Sequence, residues 1–318
     1  MVGQATSAYQ TALNYNFMSQ SLNGNPLGVI SNVNIPNPSL RASEATELEF
    51  GTELRFFNNR LNLDLTWYNK RSDDEISFVT TSSTTGYNAA TLNAGQIQNK
   101  GVEMLLSGQP IKNQQFTWTT SLNANYNDNK VLSLAEGVES QLLATSRAGV
   151  GFLQNIPGKA ASQIMAYDYK YDANGNIMQT ANGPERGNLK AYGSAFNKWF
   201  AGWNNEFNYK NLSLSVLIDG KWGGKLFSAT NYYGYVFGLH KETLPNRQSL
   251  DNQPVAPSNT PVTAAAYYAN VANNTSHRFV QDASFIKLRQ IVLGYNFPAK
   301  MFGNTIQGLN VSLVARNL

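Results

Sequence analysis

Apolar and polar residues alternate one by one in paired stretches, and long loops separate the pairs. Leu61, Leu63, Leu65 and Trp67 alternate with Asn62, Asp64, Thr66 and Tyr68. A period of two puts each set on its own face of an extended strand. The same rule sets Leu48, Phe50, Leu54 and Phe56 against Glu47, Glu49, Glu53 and Arg55. It sets Phe116, Trp118, Leu122 and Tyr126 against Thr117, Thr119, Asn123 and Asn125. Such a chain must fold as sheet with one oily face and one wet face.

The pattern predicts about eight long strands, the first around Glu47–Phe56 and the second Arg60–Arg71. Gly95–Gly108, Gln115–Asn127, Lys198–Tyr209, Leu212–Lys221, Ala283–Phe297 and Leu309–Leu318 follow. Short turns at Asn58-Asn59, Pro110–Gln114, Lys210-Asn211 and Pro298–Gln307 alternate with long connections. Asn tolerates the positive φ that a tight turn needs. In the seventh strand Ile286 and Leu288 fall out of phase with Ile291, Leu293, Tyr295 and Phe297, which predicts a bulge near Gln290. Residues 1–43, rich in Asn, Ser, Gly and Pro, read as a loop or extracellular segment, and 44–318 as the strand domain. The long stretch before Asn197 is expected to be irregular, with one or two short strands such as Gln163–Tyr171.

Strands of about eleven residues, rising ~3.3 Å each and tilted ~40°, climb on the order of 25 Å, the height of an outer-membrane apolar band. Composition agrees. Only 14% of residues are charged and 12% are aromatic, against about 25% charged in a typical soluble domain. A wet lumen and aromatic girdles need that balance. No apolar run approaches the ~18 residues of a membrane helix. The fold class is therefore all-β, an antiparallel transmembrane β-barrel. Short turns then face the periplasm and long loops the exterior. A soluble β-sandwich also alternates, but its strands are usually shorter and its loops rarely so long.

The absence of cysteine removes thiolate chemistry and disulfides, and the net charge of +4 is spread without a basic stripe for nucleic acid. No basic-then-apolar leader opens the chain.

Spaced blocks of residues then resemble one family. They are Glu49-x-Gly51-x-Glu53, Phe56-Phe57-Asn58-Asn59-Arg60-Leu61 and Asp64-Leu65-Thr66-Trp67-Tyr68. Thr85-Gly86-Tyr87 and Asn93-x-Gly95-x-Ile97-x-Asn99-Lys100-Gly101-Val102-Glu103 follow. Asp282-Ala283-Ser284-Phe285-Ile286-Lys287-Leu288-Arg289, Leu293-Gly294-Tyr295-x-x-Pro298 and Ala315-Arg316-Asn317-Leu318 complete the set. Together they resemble the C-terminal barrel half of SusC/RagA-type TonB-dependent transporters. The resemblance implies a 22-stranded barrel with an N-terminal plug. It implies energised import of an oligosaccharide or peptide through the TonB complex, with a SusD-like surface lipoprotein as lid. It places the protein in the Gram-negative outer membrane, in contact with its lipid, and makes it no enzyme. Plug and TonB box lie N-terminal to the matched blocks in that family, so the chain reads as an internal fragment. A secreted or surface β-rich carbohydrate-binding or adhesin protein without transport is the alternative.

Candidate chemistry is sparse, and no cofactor is expected. Asp172-x-Asn174-Gly175-Asn176 begins like a calcium loop, but Gly183 stands where the bidentate Glu belongs. Asp73-Asp74-Glu75 reads as a solvated rim, and His240 and His277 are too isolated for a triad. Aromatic side chains crowd one outer stretch: Trp222, Tyr232, Tyr233, Tyr235 and Phe237. Aromatic faces stack on sugar rings, so these five are the candidate solute contacts, with packing among loops, or a contact surface for a lid protein, the competing role. Trp67, Trp118, Trp199 and Trp203 read as girdle or lipid-facing residues.

Overall fold

The structure is a computed structural model that describes residues 2–4, 10–30, 34–93, 95–180, 182–244, 264–303 and 306–318. Among these residues, nine antiparallel strands form one open sheet in chain order. They are β1 (Val2–Gln4), β2 (Ser43–Phe56), β3 (Leu61–Asp73), β4 (Gln96–Lys112), β5 (Phe116–Ser133), β6 (Trp199–Tyr209), β7 (Leu212–Trp222), β8 (Phe285–Phe297) and β9 (Leu309–Arg316).

The register aligns the apolar residues of successive strands into rows. One mid-height row runs Leu54, Leu63, Leu106, Leu122, Trp203, Ile218, Leu288. Nearer the long loops runs an aromatic row of Phe50, Trp67, Val102, Tyr126, Trp199 and Trp222. Nearer the short turns lie Trp118 and Phe207, and then Phe116, Tyr209 and Tyr295. Neighbouring rings pack against one another, Phe50 on Trp67 at 5.9 Å, Tyr126 on Trp199 at 4.6 Å and Trp118 on Phe207 at 5.8 Å. An apolar band between two aromatic girdles is the outer surface of a membrane barrel. Phe50, Trp199, Trp203 and Leu313 are accordingly exposed. The four tryptophans assigned to girdle or lipid lie on this face.

The opposite face is wet. Glu47 pairs with Lys70 at 3.2 Å and Glu53 with Arg55 at 2.6 Å, while Asn125 donates to Glu103 at 2.8 Å. The phase break in β8 is resolved as expected. Leu217 pairs with Gln290 but Ile218 with Leu288, leaving Arg289 as the extra residue of a bulge. That one residue returns Ile286, Leu288, Ile291 and Leu293 to a common apolar face.

Several boundaries differ from the sequence expectation. Residues 1–43 hold β1 on the wall and a hairpin of Tyr15–Leu22 with Asn25–Ile30. The turn is Asn23-Gly24, both at positive φ, a dipeptide suited to a two-residue hairpin. The Asn58-Asn59 turn also recruits Phe57, with φ of 54°, 55° and 64° at Phe57, Asn58 and Asn59. β4 runs past Pro110 because Gln109 and Pro110 sit together opposite Thr119, a bulge that spares the missing N–H.

The long connections are folded rather than irregular. That between β5 and β6 forms a four-stranded sheet of Gln141–Thr145, Gly151–Asn155, Gln163–Tyr169 and Arg186–Ser194. That between β7 and β8 contributes helices α1 (Ala229–Val236) and α2 (Ala264–Asn274) and a 3-10 turn, Ser276–Phe279. Its residues 245–263 lie outside the described set. The Ser228 hydroxyl caps α1 by accepting from the Asn231 N–H at 3.2 Å. Val150, Tyr232, Tyr235, Tyr268, Val271, Ala272 and Phe279 close into one core that joins the two connections into a cap. Ser276, fully buried, pins it by donating to the Val150 carbonyl at 2.6 Å and accepting from the Tyr167 N–H at 2.9 Å.

Candidate functional site

Between the cap and the wet face of the wall lies a cavity of ≈700 Å³ with an asparagine-rich lining. Asn99 comes from β4, Asn127 and Asn129 from β5, Asn155 from the cap sheet and Asn197 from the residue pair before β6. The inward direction of Asn99, Asn127 and Asn129 follows from their odd-numbered positions on β4 and β5, whose even positions carry the apolar rows. Asn99 Oδ1 accepts from Nδ2 of Asn127 at 3.1 Å and of Asn129 at 2.8 Å. Asn129 Oδ1 then accepts the Ala161 N–H at 2.7 Å, tying wall to cap. Asn155 Oδ1 accepts the Ser162 N–H at 2.9 Å. After these bonds the buried Oδ1 atoms of Asn127 and Asn197 have no donor among the described residues. Neutral amides of this kind cannot serve as acid or base, but they donate to and accept from hydroxyl groups.

A second cavity of ≈660 Å³ adjoins the first through Ala195, Asn197 and Lys221. Its lining is mostly apolar, including Phe152, Ile164, Phe227 and Phe285, with Arg147 and Lys225 at its edge. Lys221 Nζ stands 5.2 Å over the Phe285 ring. Lys225 is held by Asp282 at 3.0 Å. The Ser284 hydroxyl and N–H, together with Lys225, draw the Asp282 carboxyl down to about 2.

The five aromatic contacts expected from sequence are not brought together here. Tyr232 and Tyr235 are 5% and 4% exposed inside the cap core. Burial pushes both phenols up. Tyr232 donates to Asn273 Oδ1 at 2.6 Å and so serves packing. Trp222 belongs to the outer girdle, its ring lying over Gly220 on the apolar face. Tyr233 is half-buried and stacked on Phe237 at 5.9 Å, and Phe237 is 68% exposed. Only this last pair retains an open aromatic face. Helix α1 explains the scatter, since its turn distributes neighbouring aromatics to different sides.

The other candidates resolve simply. The Asp172 carboxylate accepts from the Asn174 and Asn176 N–H groups and the Asn176 amide, a self-satisfied turn. Asp73 and Asp74 pair with Arg71 and Arg41, both at 2.9 Å. His277 stacks on Tyr192 at 5.6 Å, and its Nδ1 is 3.9 Å from Asp168, which Lys190 grips at 2.6 Å. Among the described residues no group of three His, Asp or Glu side chains converges for a metal. Asn99, Asn127 and Asn129 lie on the polar face of the alternation, and of the five only Asn99 falls within a block of the family resemblance. Convergence of Asn155 and Asn197 on Asn127 requires the cap to fold.

An antiparallel wall with girdled apolar band, wet inner face, short turns below and a folded cap above is the wall of an outer-membrane β-barrel. The chain belongs to the family described as TonB dependent receptor-like, beta-barrel, which it matches over residues 3–318. It is an outer-membrane protein. It is 26% identical over 288 residues to TonB-dependent receptor SusC of Bacteroides thetaiotaomicron, covering 86% of this chain and 28% of that one. It is 24% identical over 339 residues to TonB-dependent receptor P3 of Formosa agariphila, covering 98% and 33%. Its fold is similar to that in the structure of the RagAB peptide transporter, with a TM-score of 0.78 at 20% identity, covering 99% of this chain and 36% of that one. The chain thus spans about a third of the length of the curated relatives it matches.

Proposed function

We propose that the whole protein imports an oligosaccharide across the outer membrane, energised through the TonB complex and working with a SusD-like surface lipoprotein. Family membership supports the transport class. The asparagine cavity carries the choice of solute: Asn99, Asn127, Asn129, Asn155 and Asn197 line a space large enough for a ligand with neutral amides. Such amides donate to and accept from sugar hydroxyls, and they hold an uncharged solute without a desolvated ion. The open Phe237–Tyr233 face offers a stacking surface higher in the cap.

A peptide is the second reading, favoured by the adjoining apolar cavity, whose lining includes the cations Arg147, Lys221 and Lys225. Titrating the full-length receptor with neutral oligosaccharides and with short peptides separates the two. Asn127→Leu should weaken oligosaccharide binding about tenfold, the cost of one lost polar contact. Binding of peptides alone, unaffected by Asn127→Leu, would sink the glycan reading. Unchanged uptake in cells lacking TonB would sink import in favour of a surface-binding role.

A further inference from the structure

The outer face of the wall is not uniformly smooth. Near the short turns a groove of ≈550 Å³ is cut into it across β3, β4 and β5. Its position follows from local sequence. In the row Phe56, Leu61, Gly108, Thr120, Asn205 the side chains shrink to nothing at Gly108 and stay small at Thr120. Gly108 has no choice: a Cβ there would stand 2.9 Å from the Arg60 carbonyl and 3.4 Å from Leu61 Cδ1. The Gln109-Pro110 bulge then interrupts the pleat beside it. Leu61, Leu106, Leu122 and Trp203 form the sides. The Trp203 indole N–H donates to Thr120 Oγ1 at 2.9 Å and so is not left unmet against hydrocarbon. At the end nearest the turns lies Arg60, exposed and unpaired with any carboxylate among the described residues.

We propose that this groove holds one glycerophospholipid of the periplasmic leaflet, with an acyl chain along Leu106–Leu122–Trp203 and the phosphate at Arg60. Four observations select this occupant. The groove is continuous with the apolar face that contacts the bilayer. It lies on interior strands, away from both β1 and β9 at the sheet edges, so further barrel strands leave it uncovered. Its cationic end sits on the short-turn side, the side of the phospholipid leaflet, and a guanidinium matches a phosphate diester. Its volume falls within the range of small-molecule sites, about 300–1,000 Å³.

Native mass spectrometry of the full-length receptor in mild detergent, with phosphatidylglycerol as the added probe, tests this. Wild type should retain one phospholipid. Arg60→Gln should lower its retention about tenfold, and Leu122→Trp, which fills the groove, should abolish it. Thr120→Phe fills the groove from the neighbouring strand should Leu122→Trp not assemble, with assembly read from heat-modifiable gel migration. Lys210→Gln removes a cation from another short turn and should change nothing. Equal retention by the Arg60 and groove-filling variants would overturn the proposal. So would an equal loss in Lys210→Gln, which would mark a diffuse charge effect, or retention of lipopolysaccharide in place of phospholipid.

Discussion

Arg289 grips a single oxygen of Asp219 across the β7–β8 pair, through Nε at 2.9 Å and Nη2 at 2.7 Å. Its third nitrogen reaches Asn317 Oδ1 at 3.1 Å. Arg289 is the bulge residue, and the bulge is what turns it to the wet face beside Asp219. Two blocks of the family resemblance, one ending in Arg289 and one in Asn317-Leu318, thereby meet in space. Asn317 adopts a φ of 56°, and its N–H donates to the Arg289 carbonyl at 3.0 Å, so the contact fixes the β8–β9 edge as well.

Arg289→Ala should lower the stability of the assembled barrel by about 1–2 kcal/mol, allowing for the partial exposure of the pair. Asp219→Ala should cost a similar amount. In a double-mutant cycle read by urea unfolding, the double variant should be little worse than either single one. Additive losses would show that the two side chains act separately.

Gly101→Ala should block assembly. An added Cβ would overlap the Tyr126 carbonyl oxygen on the neighbouring strand and stand 2.7 Å from Tyr68 Oη. The phenol can swing aside, but the ladder carbonyl cannot, and forced overpacking costs several times a normal contact. Gly101→Ala should therefore lose the heat-modifiable band on gels, while Gly51→Ala, where the nearest atom is the Thr66 hydroxyl at 3.2 Å, should keep it.

Ser276→Ala should loosen the cap and leave the wall intact. Both partners of its hydroxyl are backbone groups, and the residue is fully buried. Leaving them unmatched costs about 1–3 kcal/mol. Hydrogen exchange should rise across Gly151–Asn155 and Gln163–Tyr169, with β3 to β7 unchanged.

The cap should also weaken in acid. Burial acts to raise the Asp168 carboxyl, but the Lys190 ammonium at 2.6 Å and the Tyr169 N–H at 2.7 Å outweigh it and hold it low. Asp282 is drawn down to about 2. A carboxyl depressed on folding stabilises above its ordinary value, near 3.8, and that stabilisation fades as pH falls through the folded value. Cleavage of the cap by pepsin should therefore rise as pH drops from about 4 toward 2. Asp168→Asn should remove part of that dependence. A flat cleavage profile in wild type would contradict these ion pairs.

The amino-acid sequence by itself determined the wall. Alternation is a local property: Leu61 and Asn62 must point to opposite faces wherever the strand lies. Eight of the nine wall strands, the places of their short turns and the bulge in β8 are thus legible in the alternation, whereas β1 is not. The bulge was legible because Leu288 and Ile291 fell out of phase. The hairpin at Asn23-Gly24 was equally legible in principle, but Gly and Pro nearby pointed to loop. Only the tertiary structure decided the cap and the site. Tyr232, Tyr235 and Phe237 are neighbours in sequence and equally aromatic, yet two are core and one is surface. That division depends on which sides of α1 meet Phe279 and Tyr268. Asn127, Asn155 and Asn197 become one cavity lining only when distant segments converge, through contacts that leave no periodic trace in the chain.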